Sequence, residues 1–105
     1  MGAVVKTIQV KEREFKLKPA EITLDKPGAY ELKVVNSGET DHALEIEGEG
    51  VEAKTEEIEP GKSATLKVKL EAGDYELYCP VDGHAERGME GRLTVKEGPG
   101  GSGGY

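Results

Sequence analysis

Apolar and polar residues alternate along most of the chain, and this two-residue period is typical of β-strands with one buried face. The clearest example is Tyr30-Glu31-Leu32-Lys33-Val34, in which the three apolar side chains share a face. Turn signals such as Asp25-Lys26-Pro27-Gly28 separate the alternating runs. The pattern predicts strands at residues 4–10, 14–17, 22–24, 30–34, 42–46, 66–70, 75–79 and 93–95.

Short strands separated by frequent turns predict an all-β fold, an antiparallel β-sandwich of seven to eight strands. No apolar period of helical length competes with this interpretation. Residues 47–57 are acidic and interrupted by glycine, so we expect an irregular crossover with a helical turn. Tyr75 is predicted to be a corner tyrosine that ties a loop to the backbone through its hydroxyl.

The composition limits the organisation and the partners of the chain. Its 105 residues predict a single domain over residues 1–97, followed by a flexible glycine-rich tail at 98–105 that has the character of an appended linker. Twenty-one acidic against fourteen basic side chains give a formal charge of −7, which argues against nucleic acid and favours a cationic partner. The sequence contains no apolar run long enough to predict membrane insertion, and residues 1–5 lack the features of a secretory signal.

The polar positions are dominated by seventeen Glu and eleven Lys. Such a surface is typical of a thermophile protein or of a designed sequence. The glycine-rich tail also favours engineering, so an engineered scaffold is an alternative to a natural carrier.

The candidate chemistry lies between Tyr78 and Met89. This stretch holds the only cysteine, Cys79, one of the two histidines, His84, and Met89, the only methionine besides Met1. Cys79 ends a predicted strand, and the other two follow on a loop. Thiolate, imidazole and thioether together suit copper, which needs a second imidazole. His42 supplies it, because the alternation places it on the inward face of its strand.

Each of these residues alone is more often structural, since buried Cys and Met commonly fill cores and a buried His is commonly hydrogen-bonded. Together they favour a metal site. A single cysteine excludes an intramolecular disulfide, a two-cysteine copper centre and a Cys-x-x-Cys redox pair. Zinc stays an alternative, because one Cys and two His satisfy a tetrahedral zinc ion.

An inward His42 followed by Cys79-x4-His84-x4-Met89 resembles the cupredoxin family of blue copper proteins, and the ligand loop is most similar to that of its rusticyanin and auracyanin-like members. Asn36-Ser37-Gly38 and Ala72-Gly73-Asp74-Tyr75 match the family's usual lead-ins to the ligands, and the resemblance covers about residues 4–97. It implies a Greek-key sandwich with one type 1 copper ion. It also implies His42, Cys79 and His84 as trigonal ligands and Met89 as a long axial ligand.

The resemblance further implies a monomeric, extracytoplasmic electron carrier rather than an enzyme. Its redox partner would dock near His84, on a small apolar patch formed by Pro80, Val81, Ala85 and the Gly88-Met89 backbone. Ala43 and Pro80 depart from the family, because neither can form the side-chain bridge that often links the His42 strand to the residue after Cys79. Val81 N–H is the expected donor to the thiolate sulfur.

Two other functions compete with an electron carrier. A copper oxidase or nitrite reductase needs further histidines, and both histidines of this chain are already assigned. A copper store or chaperone usually carries Met-rich or Cys-x-x-Cys tracts, which this sequence lacks.

Overall fold

The computed structural model describes residues 6–81 and 83–97. Nine strands and one short 3₁₀ turn, Ala85–Arg87, make up its regular structure. The strands are β1 (Lys6–Arg13), β2 (Lys16–Lys18), β3 (Glu21–Leu24), β4 (Gly28–Asn36), β5 (Glu45–Gly48), β6 (Val51–Lys54), β7 (Ser63–Leu70), β8 (Gly73–Tyr78) and β9 (Glu90–Val95).

The strands form two sheets, with the orders β2-β1-β4-β7 and β3-β9-β8-β5-β6. Alternate residues of each strand turn inward, so Leu32 and Val34 of one sheet and Ile46, Leu77 and Leu93 of the other are fully buried in one core. The predicted fold class, an all-β sandwich, is confirmed. Two packed sheets with one apolar core give the site a stiff frame.

The sheets are mixed rather than wholly antiparallel. Strand β1 pairs with β4 in parallel, from Lys6 opposite Tyr30 to Glu12 opposite Asn36. Strand β3 pairs with β9 in parallel, and the other strand pairs are antiparallel. Alternation identifies the buried face of a strand but not the direction of its neighbour, which explains why the sequence did not predict these pairings.

Residues 47–57 differ from the prediction of an irregular crossover. Strands β5 and β6 form a hairpin in which Ile46 lies opposite Ala53. Glu49 and Gly50 form its two-residue turn with φ of 47° and 80°. Two successive positive φ values match the twist of a hairpin and favour glycine. The glycines that suggested irregular structure therefore build a tight turn.

Two further predictions concern single features. The Tyr75 hydroxyl accepts a hydrogen bond from Glu71 N at 2.9 Å and donates one to Glu71 O at 2.8 Å, so the predicted corner tyrosine is confirmed.

Across the described ranges, no helix has the length and apolar character that a membrane crossing requires. The predicted tail at 98–105 and the start of the first predicted strand, residues 4 and 5, lie outside the described residues. The single-domain assignment stays a prediction.

Candidate metal centre

Cys79 follows directly after β8, one position beyond the strand that it was predicted to end. Strand β8 lies between β9 and β5, so both of its edges are hydrogen-bonded. Cys79 itself is fully buried, and its backbone N–H donates to Met89 O at 3.1 Å. The thiol is therefore fixed at the end of a central strand.

The loop from Val81 to Met89 is closed by its own backbone. The N–H groups of Arg87 and Met89 both donate to His84 O, each at 3.1 Å, and His84 N donates to Val81 O at 3.0 Å. Gly88 has a φ of 120°, and a Cβ there would lie 2.8 Å from Phe15 O. Glycine thus allows the loop to pack against the turn that joins β1 and β2.

His42 is fully buried, so its predicted inward orientation is confirmed. It does not belong to a strand, because β5 begins only at Glu45. Instead His42 forms an isolated bridge with Ile58, with N–H···O distances of 3.1 and 2.6 Å. The side-chain amide of Asn36 donates to Thr40 O at 2.8 Å and to Ile58 O at 2.7 Å, which braces the same segment.

The structure brings the nitrogen and sulfur donors of three predicted ligands together. Nδ1 of His42 lies 3.2 Å from Nδ1 of His84. The sulfur of Cys79 lies 3.5 Å from Nδ1 of His84 and 4.0 Å from Nδ1 of His42. These three residues form one of the two potential metal-binding clusters among the described residues.

This triangle fits a metal ion. Metal–nitrogen bonds of about 2.0 Å and metal–sulfur bonds of about 2.3 Å at trigonal angles give edges of about 3.5 and 3.7 Å. The observed edges of 3.2, 3.5 and 4.0 Å lie within about 0.3 Å of those values. One thiolate and two imidazoles in a trigonal arrangement are the donor set that copper prefers in electron-transfer sites.

Met89 lies beside the triangle and is fully buried. Its backbone N–H donates to His84 O, and its carbonyl accepts from Cys79 N, so it is tied to two of the three donor residues. The thioether predicted as the axial donor therefore belongs to a buried residue whose backbone adjoins the triangle. The assignment of the four residues as metal ligands stays a prediction.

Burial dominates the electrostatics of the centre. It raises the pKa of the Cys79 thiol, while backbone N–H groups of Ala43 and Val81 lower it. Ala43 N lies 3.4 Å from the sulfur and is a donor that the sequence did not predict, in addition to Val81. Burial also lowers the pKa of His42, against an opposing effect of Glu14. A bound cation would offset the cost of burying a thiolate here.

Glu14 is a residue of the centre that the sequence did not indicate. Its carboxylate accepts hydrogen bonds from Glu39 N, Thr40 N and the Thr40 hydroxyl, at distances of 2.6 to 3.0 Å. The Thr40 hydroxyl is the largest cause that lowers the pKa of Glu14 to about 2. Oε2 of Glu14 lies 3.3 Å from Nε2 of His42. No sequence motif links these residues, because the contact depends on how two distant loops meet.

Phe15 was also missed. Its ring centroid lies 5.1 Å from that of His84 in an edge-on arrangement. The Arg87 guanidinium lies over the Phe15 ring, 5.1 Å from its centroid. Phe15 thus joins Val81 and Ala85 around His84, and all four residues are partly buried. The predicted apolar patch gains an aromatic ring from outside the ligand loop.

Glu12 is a buried carboxyl near the centre. It is 0% exposed, and neither carboxyl oxygen has a hydrogen-bond partner within the described residues. Burial raises its pKa to about 8. Its charge would raise the pKa of Cys79. The sequence did carry a signal, since Ile8, Val10 and Glu12 fall on one face of a strand.

Comparison with known proteins adds a family to this geometry. The sequence model of the family described as "Cupredoxin-like domain" matches residues 3–95. A sequence search of curated proteins finds no match.

Solved structures share the fold. Auracyanin B is similar with a TM-score of 0.80 and 19% identity, over 91% of this chain and 92% of its own. Dithionite-reduced auracyanin from the photosynthetic bacterium Roseiflexus castenholzii has a TM-score of 0.77 and 20% identity, over 89% of this chain and 98% of its own. Blue copper oxidase from Nitrosomonas europaea has a TM-score of 0.70 and 18% identity, over 88% of this chain but 39% of its own.

Proposed function

We propose that this chain, which belongs to the cupredoxin-like domain family, is an electron carrier that holds one type 1 copper ion through His42, Cys79, His84 and Met89. The observation that carries the proposal is the buried triangle of one sulfur and two Nδ1 atoms, with edges of 3.2 to 4.0 Å. Bound copper supplies a one-electron Cu(I)/Cu(II) couple at this position. The name of one structural neighbour, a blue copper oxidase, agrees with this metal.

The chain contributes a donor set that is already in place. Cys79 is held by β8 and by Met89 O, and His42 is held by its bridge to Ile58. His84 accepts two backbone hydrogen bonds within its own loop. Because these restraints hold the backbone of each donor residue, the donors would move little between the two oxidation states of a bound copper ion. A small rearrangement favours fast electron transfer.

His84 is the donor residue that reaches the surface, since His42 and Cys79 are fully buried while His84 is partly exposed. Electrons would therefore leave through its ring edge, among Phe15, Val81 and Ala85. A redox partner protein would dock on this patch, and the formal charge of −7 favours a cationic one. We further propose that the chain acts as a monomer outside the cytoplasm.

A carrier fits the chain better than an oxidase does. The sequence has two histidines, and both lie in the one cluster. A second, catalytic copper would need additional imidazoles. The blue copper oxidase matches this chain over only 39% of its own length, so most of that oxidase has no counterpart here.

Titration of the copper-free protein with Cu(II) tests the proposal. We expect an intense visible band that saturates at one copper per chain, because a thiolate in a trigonal site gives strong charge transfer. The electron paramagnetic resonance spectrum should show narrow parallel hyperfine splitting. A pale spectrum with ordinary wide splitting would contradict a type 1 site. Competition with Zn(II) provides the control, and Cu(II) should displace zinc.

Met89→Gln should lower the reduction potential. The thioether is a soft donor that favours Cu(I), whereas an amide oxygen is harder and favours Cu(II). Met89→Leu is the matched control, since it keeps the volume and the apolar character but removes the donor. It should raise the potential or leave it unchanged. Voltammetry measures all three proteins, and identical midpoints would mean that Met89 is not the axial ligand.

A further inference from the structure

We propose that Glu14 is a positioning residue for His42, whose carboxylate keeps the ring proton on Nε2 and leaves the Nδ1 lone pair directed into the donor triangle. The distance from Nε2 to Oε2 of Glu14 is 3.3 Å, within ion-pair range although not aligned as a hydrogen bond. The effect of Glu14 on copper binding rests on the proposed function, whereas the position of the proton on His42 is independent of it.

The environment of His42 determines which ring nitrogen carries the proton. His42 is 0% exposed, so water cannot satisfy Nε2. Among the described residues, Nε2 has no aligned hydrogen-bond partner, and the carboxylate of Glu14 is the acidic group within ion-pair distance of it. An unprotonated Nε2 would bring its lone pair close to the negative carboxylate, whereas Nε2–H places a proton beside that charge. The protonated Nε2 is therefore favoured, and Nδ1 is left as the acceptor.

The Glu14 carboxylate can select this tautomer because hydrogen bonds fix its own position. Thr40 N and the Thr40 hydroxyl donate to its Oε2 at 2.6 and 2.8 Å, and Glu39 N donates to both oxygens. A Cβ at Gly38 would lie 2.5 Å from Glu14 Oε1, so glycine lets the carboxylate approach this loop closely. The side chain remains only 26% exposed. Its position is set by the segment that leads directly into His42.

Two consequences follow for a bound copper ion. A ring fixed in the correct tautomer needs no rearrangement before it binds metal, so Glu14 should increase the affinity for Cu(II). A fixed negative charge behind the imidazole also stabilises the more highly charged ion. Glu14 should therefore lower the reduction potential, opposite to the effect of the buried thioether.

Ring-nitrogen NMR of the copper-free protein is the decisive measurement. In the parent protein, the ¹⁵N shifts of His42 should show a protonated Nε2 and a bare Nδ1. Glu14→Gln should yield a substantial fraction of the other tautomer, because the amide can present its NH₂ group to Nε2. Glu39→Gln is the matched control, since it removes the same charge from the neighbouring loop that holds Glu14, while its side chain is exposed. It should leave the tautomer unchanged.

Glu14→Asp provides the second variant, in case the amide disrupts the loop. It keeps the charge but withdraws it by one methylene, so we expect partial retention of the parent tautomer. In the copper-loaded protein, Glu14→Gln should lose about 10- to 100-fold in Cu(II) affinity. It should also have a higher potential than Glu39→Gln.

The outcomes separate the two proposals. A parent protein with the proton on Nδ1 of His42, or a folded Glu14→Gln variant with unchanged ring shifts, would overturn the role of Glu14. A protein that shows the expected tautomers but binds no Cu(II) would overturn the proposed function and leave the role of Glu14 standing.

Discussion

Cys79→Ser should abolish the intense visible absorption of the copper-loaded protein while the β-sandwich stays folded. Cys79 is the single sulfur in the donor triangle, and a serine hydroxyl does not ionise near neutral pH to replace the thiolate. The substitution is nearly isosteric, and Ala43 N–H can donate to the new oxygen as it now does to sulfur. We expect loss of essentially the whole band and a wide hyperfine splitting.

Tyr78→Phe is the control for this experiment. Tyr78 precedes Cys79 in the chain, and its phenol is the neighbouring group that could also give a coloured metal complex. However, its hydroxyl donates to Glu47 at 3.0 Å, away from the triangle. Tyr78→Phe should therefore keep the colour. Absorption spectra at a known copper content, with circular dichroism to confirm folding, provide the measurement. A Cys79→Ser protein that remains blue would show that the thiolate is not the chromophore.

Stability should fall between pH 4.5 and pH 8 because of Glu12. Its pKa is raised from 4.5 to about 8 by burial. In this interval the folded protein keeps a proton that the unfolded chain releases, so each pH unit lowers the free energy of unfolding by about 1.4 kcal/mol. The total is about 5 kcal/mol. Below pH 4.5 both states are protonated, and the effect of Glu12 disappears.

Glu12→Met isolates this effect, because the variant and the parent share all other titratable groups. The difference in their unfolding free energies should grow from pH 4.5 to pH 8 in favour of Glu12→Met and then level off. Denaturant unfolding of the copper-free protein at several pH values gives the curve. The exposed Glu76 on β8 provides a control, and Glu76→Gln should change stability by less than about 0.5 kcal/mol. A flat difference for Glu12→Met would show that Glu12 is ionised or solvated in the folded protein.

The strands could be predicted because their buried faces repeat every second residue. Tyr30, Leu32 and Val34 alternate in sequence and are all buried in the structure. The same rule predicted that His42 is buried, and it is, but its burial does not come from one buried face of a strand. Residues 42–46 are all buried, so both sides of this segment are covered. Cys79 was located correctly because β8 ends one residue before it.

The remaining features depend on contacts between distant segments. The parallel pairing of β1 with β4 joins residues that are 24 positions apart, such as Lys6 and Tyr30. The approach of Glu14 to Thr40 spans 26 positions and leaves no local pattern. Glu12 is an instructive exception. The alternation of Ile8 and Val10 continues to Glu12, but the predicted strand ended at residue 10, and a carboxylate is rarely buried without a partner.

The two-residue turn between β1 and β2 contacts both imidazoles, one through each side chain. Glu14 lies against His42, and Phe15 lies against His84. Neither residue is a predicted ligand, and neither belongs to the core strands. A combinatorial library restricted to these two adjacent codons would thus vary the surroundings of each imidazole separately. The fold thus places one neighbour of each imidazole at two adjacent positions of the chain.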